Sequence, residues 1–408
     1  MSSDIQSLTV EHHPAKSQKR TALTYFSLLL LTGLSSSCNE AKRLPYHAGY
    51  ELKRSQSEIE SGYLKNYKPF RTSFFKLAPD LDKEKPLAVA DYGGWLESNG
   101  ILLGSLDDDW LTGLTLPGLG PKWWRKSPGA QTCPPVSFGS WAVFGFRNGS
   151  IWKINALTGD KVWERKLDSF PARRIKKTEN QLLVVTAKQT IYAIDSESGT
   201  VNWVHDSNAS EGLSIRNLAA PTVHQEQVYY GLSSGEVVAL DLKTGERKWT
   251  HNPGFSEARF HDMIGEIYII GNGKGLLLTR YDGIMTAVNL NNPKQNMWEP
   301  VKLNSITDSS FRHNRVYVGT HSGYVYAYNP DNGKQLWQSH IGASVGSITA
   351  GETKLYVTST QGRIAALDVE GKMLWHDQLE GLVTGSPVYI GNNIFFQTGL
   401  RNFYGYSF

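Results

Sequence analysis

The side chains best suited to chemistry in this chain of 408 residues are eleven histidines, two cysteines and 38 acidic residues. Few of them fall at spacings that build a site. His12 and His13 are the one adjacent histidine pair, and they lie in an N-terminal segment that reads as a leader. The sequence contains no H-E-x-x-H pair for zinc, no G-x-S-x-G nucleophile turn, no C-x-x-C-H haem site and no phosphate loop. Asp107-Asp108-Asp109 could hold a calcium ion, although three acids in a turn are more often simply solvated. Cys38 and Cys133 make no disulfide framework, and a net charge of +4 leaves no nucleic-acid footprint. These residues point away from an enzyme, with no metal and no cofactor expected.

Two clusters suit binding better than catalysis. Arg173-Arg174-x-Lys176-Lys177 places four cations within five residues, able to meet lipid phosphates or an acidic partner, or to sit solvated at a strand edge. Trp110, Trp123 and Trp124 gather near Gly118, either as an aromatic platform for a sugar or as packing. Packing is the plainer choice.

The elements that position these groups come from a repeat. Gly235–Trp249, GEVVALDLKTGERKW, reads as a hairpin: an apolar run Val237–Leu240, a capping carboxylate at Asp241, a Thr244-Gly245 turn, and a charged strand ending in a large ring. Related segments end at Trp163, Trp203, Trp337 and Trp375, a degenerate one at Trp298, and a distant one at Trp124. Turn glycines recur at Gly159, Gly199, Gly245, Gly333 and Gly371. A period of about forty residues with four short strands per unit marks a β-propeller. Each tryptophan is expected to end an outer strand and pack between blades, worth on the order of 3–5 kcal/mol when buried.

The ring is expected to have eight blades, with seven as the fallback. Three strands near the C-terminus, Val383–Ile390, 394–398 and 402–408, lack a fourth. The isolated strand within Tyr67–Leu77 can supply it and remove an open edge. The propeller domain is then 66–408, all-β, closed by its N-terminal strand.

Ahead of it, Lys16, Lys19 and Arg20 precede an apolar run, Thr21–Leu34, of signal-peptide length. Ser35-Ser36-Ser37-Cys38 resembles a bacterial lipobox, with leucine one place further from the cysteine than the pattern prefers. The resemblance implies a signal peptide 1–37, lipidation at Cys38 and a flexible tether 38–65. Asn39 and Glu40 in place of an aspartate imply outer-membrane sorting, facing the periplasm. Ordinary signal cleavage is the alternative.

The pattern A-[LIV]-[DN]-x-x-[TSN]-G-x-x-x-W resembles the repeat of pyrroloquinoline-quinone dehydrogenases, but the adjacent cysteine pair on which many of those stack the quinone is missing. A more specific resemblance lies at 212–249, which is similar to the outer-membrane protein assembly factor BamB family, eight-bladed lipoprotein propellers that support a BamA-like β-barrel insertase. In that family an L-x-[LI]-R loop before A-P-T contacts the insertase. The matching positions are Leu213, Ile215 and Arg216, ahead of Ala220-Pro221-Thr222. The alternative places Leu213 and Ile215 on the inner strand of the fourth blade, facing the core. The family's acidic D-x-D pair aligns with Ile264 and Glu266, so its second acid is present and its first is not; Asp262 lies out of step. The resemblance implies a protein partner, a membrane anchor and a monomer within a complex. The competing class is a quinoprotein-like enzyme or sensor using the propeller channel.

Overall fold

The structure, a computed structural model, describes residues 68–73, 93–107, 110–116, 120–207, 219–254, 256–390, 393–399 and 402–407. The leader 1–37, Cys38, the tether 38–65 and Leu213, Ile215 and Arg216 lie outside the described residues, as do Asp108 and Asp109. The chain folds into eight antiparallel four-stranded sheets, each one blade. Apart from a 3-10 turn at Gly271–Gly273, the described residues contain no helix.

Blade 4 shows why the repeat folds as it does. Its strands are Thr222–His224, Gln227–Gly231, Val237–Asp241 and Arg247–His251, running from the channel outward. Val237, Val238, Ala239 and Leu240 are all buried, so the third strand packs on both faces. At its end Asp241 Oδ1 accepts the N–H groups of Lys243 and Thr244, each at 3.0 Å. Those bonds hold the Asp241 carboxyl below its ordinary range, the Thr244 bond first. Gly245 then turns the chain at φ +74°, where glycine pays no Cβ penalty.

The turn glycine has a second reason to be glycine. A Cβ on Gly245 would sit 2.5 Å from the Trp203 ring of blade 3. The same collision would occur between Gly159 and Trp123, Gly199 and Trp163, Gly333 and Trp298, and Gly371 and Trp337. Each indole therefore lies flat on the bare turn of the following blade. Four of them also donate Nε1–H to that turn's carbonyl: Trp123 to Ala156, Trp203 to Leu242, Trp298 to Pro330 and Trp337 to Val369, at 2.9–3.0 Å.

Three details differ from the sequence reading. In blade 1 the ring on the next turn is Trp123, with 6% of its surface exposed, while Trp124 is only partly buried against the core shared with blade 8. Strand alternation decides it: Trp123 stands opposite Gly113, and the small partner leaves room for the indole. The tryptophans also do not end their strands; Val201–Asp206 and Arg247–His251 run on past Trp203 and Trp249. The ring must face a small residue such as Ala193 or Ala239 to fold down on the next blade, and that position falls mid-strand. Blade 5 lacks a turn glycine for Trp249 to cover; Trp249 keeps the contact with Tyr229 at 5.8 Å that Trp337 also makes with Tyr317, and Trp298 precedes a two-residue outer strand, Val301–Lys302.

Blade 2 varies the theme with a cation. Opposite Trp163 stands Lys153 instead of a small residue, with 1% of its surface exposed. Its ammonium donates to the Ser196 carbonyl at 3.0 Å and to Glu197 at 2.7 Å, and sits over the rings of Phe138 and Trp141. It thus takes the carbonyl that an indole takes in other blades. Trp163 Nε1 is left buried without a hydrogen bond.

Ring closure joins the chain's two ends. Lys68–Ser73 pairs antiparallel with Asn402–Ser407 in unbroken register, from Lys68 with Ser407 to Ser73 with Asn402. It forms the outermost strand of blade 8, outside Val383–Ile390, Asn393–Thr398 and Asn402–Ser407. Across the seam Trp95 donates Nε1–H to Gln397 at 2.6 Å and stacks where a Cβ on Gly104 would lie 2.4 Å away.

Cys133 is buried in the core between blades 2 and 3. Burial pushes its thiol up to about 12. Because the thiolate is the nucleophile, native protein at pH 8 should resist iodoacetamide at Cys133. Mass spectrometry should show full labelling only after unfolding; rapid native labelling would contradict the packing.

Candidate functional interface

Strand direction sorts the loops onto two faces. One face carries the first-to-second and third-to-fourth strand turns. The other carries the second-to-third turns and every blade-to-blade connection. On this connection face the blade 3 lead-in, with Arg173 and Arg174, meets the inner strands of blades 5 and 6.

Glu266 is set in place by a bulge. The blade 5 inner strand Met263–Ile270 shifts register between Ile264 and Tyr268, with Gly265 at φ +70°. A Cβ on Gly265 would fall 2.4 Å from Ser309 Oγ, so the bulge requires glycine. Ala220, at the end of the 207–221 connection, bridges to Glu266 in parallel, and its N–H reaches the Gly265 carbonyl at 3.3 Å. Two segments about 45 residues apart therefore share one lip of the channel.

That lip belongs to a collar of bonds between inner strands. Thr222 donates to the Ile267 carbonyl at 2.7 Å, joining blades 4 and 5. Tyr268 donates to the Ser309 carbonyl at 2.8 Å, joining blades 5 and 6. Asp308 accepts the Ile348 N–H at 2.9 Å, joining blades 6 and 7. The collar fixes the lip without help from the outer strands.

The charges at the lip come from blades that are not neighbours. Arg174 Nη1 stands 3.6 Å from Glu266 Oε1, blade 3 to blade 5, with 54% and 46% of the side chains exposed. The pair thus reaches past blade 4 on the connection face. Arg173 lies deeper. Burial lowers its guanidinium from the ordinary arginine range, opposed by the charges of Asp308 and Glu266. Burial likewise raises the Asp308 carboxyl, opposed by Arg173 and by amide bonds from Ile348 and Ser309. Arg173 Nε is buried without a hydrogen bond. The basic run is thus divided: its arginines enter the mouth, while Lys177 lies over Phe138 and donates to the carbonyls of Thr178 and Glu179.

A second charged knot anchors the approach to the same strand. Arg280 and Asp282 are paired through Nη2 and Oδ2, and again through Nε and Oδ1 at 3.1 Å. Their side chains are 2% and 0% exposed. Arg280 also donates to the Gly254 carbonyl at 2.5 Å, and His261 Nδ1 lies 3.0 Å from Arg280 Nη2 and 3.1 Å from Asp282 Oδ2. Burial alone would raise the Asp282 carboxyl, but the Arg280 bonds and charge outweigh it and hold it low. The connection 252–262 is thereby tied down just before Glu266's strand. Local sequence pattern gave no sign of this knot, since it joins the Arg280–Asp282 turn to a separate connection about twenty residues earlier.

Among the described residues no group of three or more His, Cys, Asp or Glu side chains is placed to hold a metal ion. An open cavity of about 410 Å³ lies between blades 3 and 4, lined by His205, Ser207, Leu232, Glu236, Val238, Arg247 and Thr250. Burial, with the nearby Arg247 charge, holds the His205 imidazole below its ordinary range, so the ring is neutral at pH 7.

The family described as outer membrane protein assembly factor BamB matches residues 117–339 and 321–408. The chain belongs to that family. A BamB of Burkholderia pseudomallei is 24% identical over 280 residues, 65% of this chain and 71% of the relative. The tetrathionate hydrolase of Acidithiobacillus ferrooxidans is also 24% identical, over 61% of this chain and 53% of its own length. Several other relatives are matched over about half of their length. The crystal structure of BamB from Moraxella catarrhalis superposes with a TM-score of 0.68 at 21% identity, covering 83% of this chain and all of that one. That likeness supports the eight-bladed fold.

Proposed function

We propose that this BamB-family chain is a non-catalytic scaffold of the bacterial envelope that docks a β-barrel insertase through its connection face. In this reading residues 1–37 are removed, Cys38 carries the lipid, and 38–65 tether the propeller at the outer membrane on the periplasmic side. Leu213, Ile215 and Arg216 supply an apolar-plus-cation hot spot, and Glu266 an acid beside it. The observation that carries the proposal is the pairing of Ala220 with Glu266, which puts the end of the motif-bearing connection and the family-aligned acid on one lip. The fixed collar beneath favours a docking platform, because a preformed surface loses little freedom on binding.

Co-purification from detergent-solubilised envelopes tests it. Wild type is expected to retrieve a β-barrel insertase, and the folded Leu213→Ala, Arg216→Ala variant to lose it. Retrieval by neither would refute the docking role.

The tetrathionate hydrolase relative and the Arg173–Asp308 charges favour an enzyme as second reading. Against it, the Asp308 carboxylate is already taken up by the amides of Ile348 and Ser309, and Glu266 is paired with Arg174.

A further inference from the structure

Glu266 is offered above as a partner contact, yet in the free chain it already has a partner. Arg174 reaches it from blade 3 at 3.6 Å, and both side chains are about half exposed. The two ends of this pair are not equally mobile. Glu266 is held by a bulge, by the Ala220 bridge and by a strand tied to blades 4 and 6. Arg174 is a long, exposed side chain on a connection, rich in rotamers, so it is the member that can leave. Behind it stands Arg173, half-buried and of like charge, which opposes a second cation beside it.

We infer that Arg174 is an autoinhibitory counter-ion: it occupies Glu266 in the free chain, and a basic side chain of the docking partner displaces it. The inference rests on the scaffold reading and adds the chemistry of the partner's contact, a lysine or arginine directed at the channel mouth. It carries an unusual sign. Removing an exposed arginine from a docking face ordinarily weakens binding, whereas here it removes a competitor. Half-exposed pairs of this kind are worth about 0.2–1 kcal/mol, so the gain is about 1.4- to 5-fold in affinity.

The test uses the purified mature chain and the purified periplasmic region of a β-barrel insertase, with affinity measured at low and high salt. Arg174→Gln is expected to tighten binding by about 1.4- to 5-fold at low salt, less at high salt. In a Glu266→Gln background the same change is expected to do nothing, because the contested carboxylate is gone. Thermal unfolding checks that all variants are folded. Unchanged or weaker binding by Arg174→Gln, or equal tightening in both backgrounds, overturns the inference and leaves the scaffold reading standing. If wild type does not bind the insertase region at all, the scaffold reading fails and this inference fails with it.

Discussion

Arg280→Met will destabilise the propeller by about 3–5 kcal/mol, since it strands a buried carboxylate without its counter-ion. Asp282 has a fully buried side chain and takes two bonds from Arg280. The connection 252–262 would lose its hold on the Arg280 guanidinium at the same time. A double variant, Arg280→Met with Asp282→Asn, should recover part of the loss, because an uncharged amide tolerates burial better than a lone carboxylate. Urea unfolding across pH gives the sharper check. In wild type the Asp282 carboxyl is held below its ordinary value of 3.8. Its contribution is therefore present above that value and lost as pH falls through the lowered one. In Arg280→Met the largest opposing contribution is gone, and burial, set only against the His261 and Ser256 bonds, raises the carboxyl. Charging it then costs stability as pH climbs from about 4 towards 6. In that window Arg280→Met should lose stability relative to wild type, whose Asp282 contribution is already in place, and parallel profiles would dismiss the pair as a source of stability.

Trp203→Ala should cost a similar amount, about 3–5 kcal/mol, because the indole covers the Gly245 turn and donates to the Leu242 carbonyl at 3.0 Å. Gly245→Ala attacks the same contact from the other side. It adds the strain of positive φ, about 1–2 kcal/mol, to a Cβ placed 2.5 Å from the ring. With Trp203 already gone, only the φ strain remains, so Gly245→Ala should cost much less in that background. The cycle should give a coupling of at least about 1 kcal/mol. Additive costs would show that the ring and the turn are not one unit.

The propeller was legible because each blade writes its own turn. Asp or Asn, then glycine, then tryptophan recur at fixed spacing, and each is dictated by contacts within a blade or with the next one. Legibility failed where that local logic was ambiguous. The Trp123-Trp124 doublet offers two rings at one position, and only strand alternation against Gly113 selects the first. In blade 5 the turn has no glycine, and the outer strand slips beyond Trp298. The channel lip was half legible. Glu266 could be aligned with a family acid, but its pairing with Arg174 joins residues 92 positions apart across a channel. No spacing rule marks such a contact. The Arg280–Asp282–His261 knot was hidden for the same reason: two segments converge that share no period.

The closing strand imposes an order on synthesis. Lys68 must find Ser407, so the first strand made waits for the last. Blades 1 to 7 each zip from neighbouring segments, with short loops to close, whereas blade 8 needs contacts more than 300 residues apart. Until then the ring is an open arc with a bare edge at each end, the form most exposed to edge-to-edge association. A chain terminated before Asn402 can build most of its blades and still never seal. Its leading strand stays unpaired, an open edge that holdases and proteases can grasp. The seam therefore works as a check on completeness, one that a nascent chain passes only with its final strand.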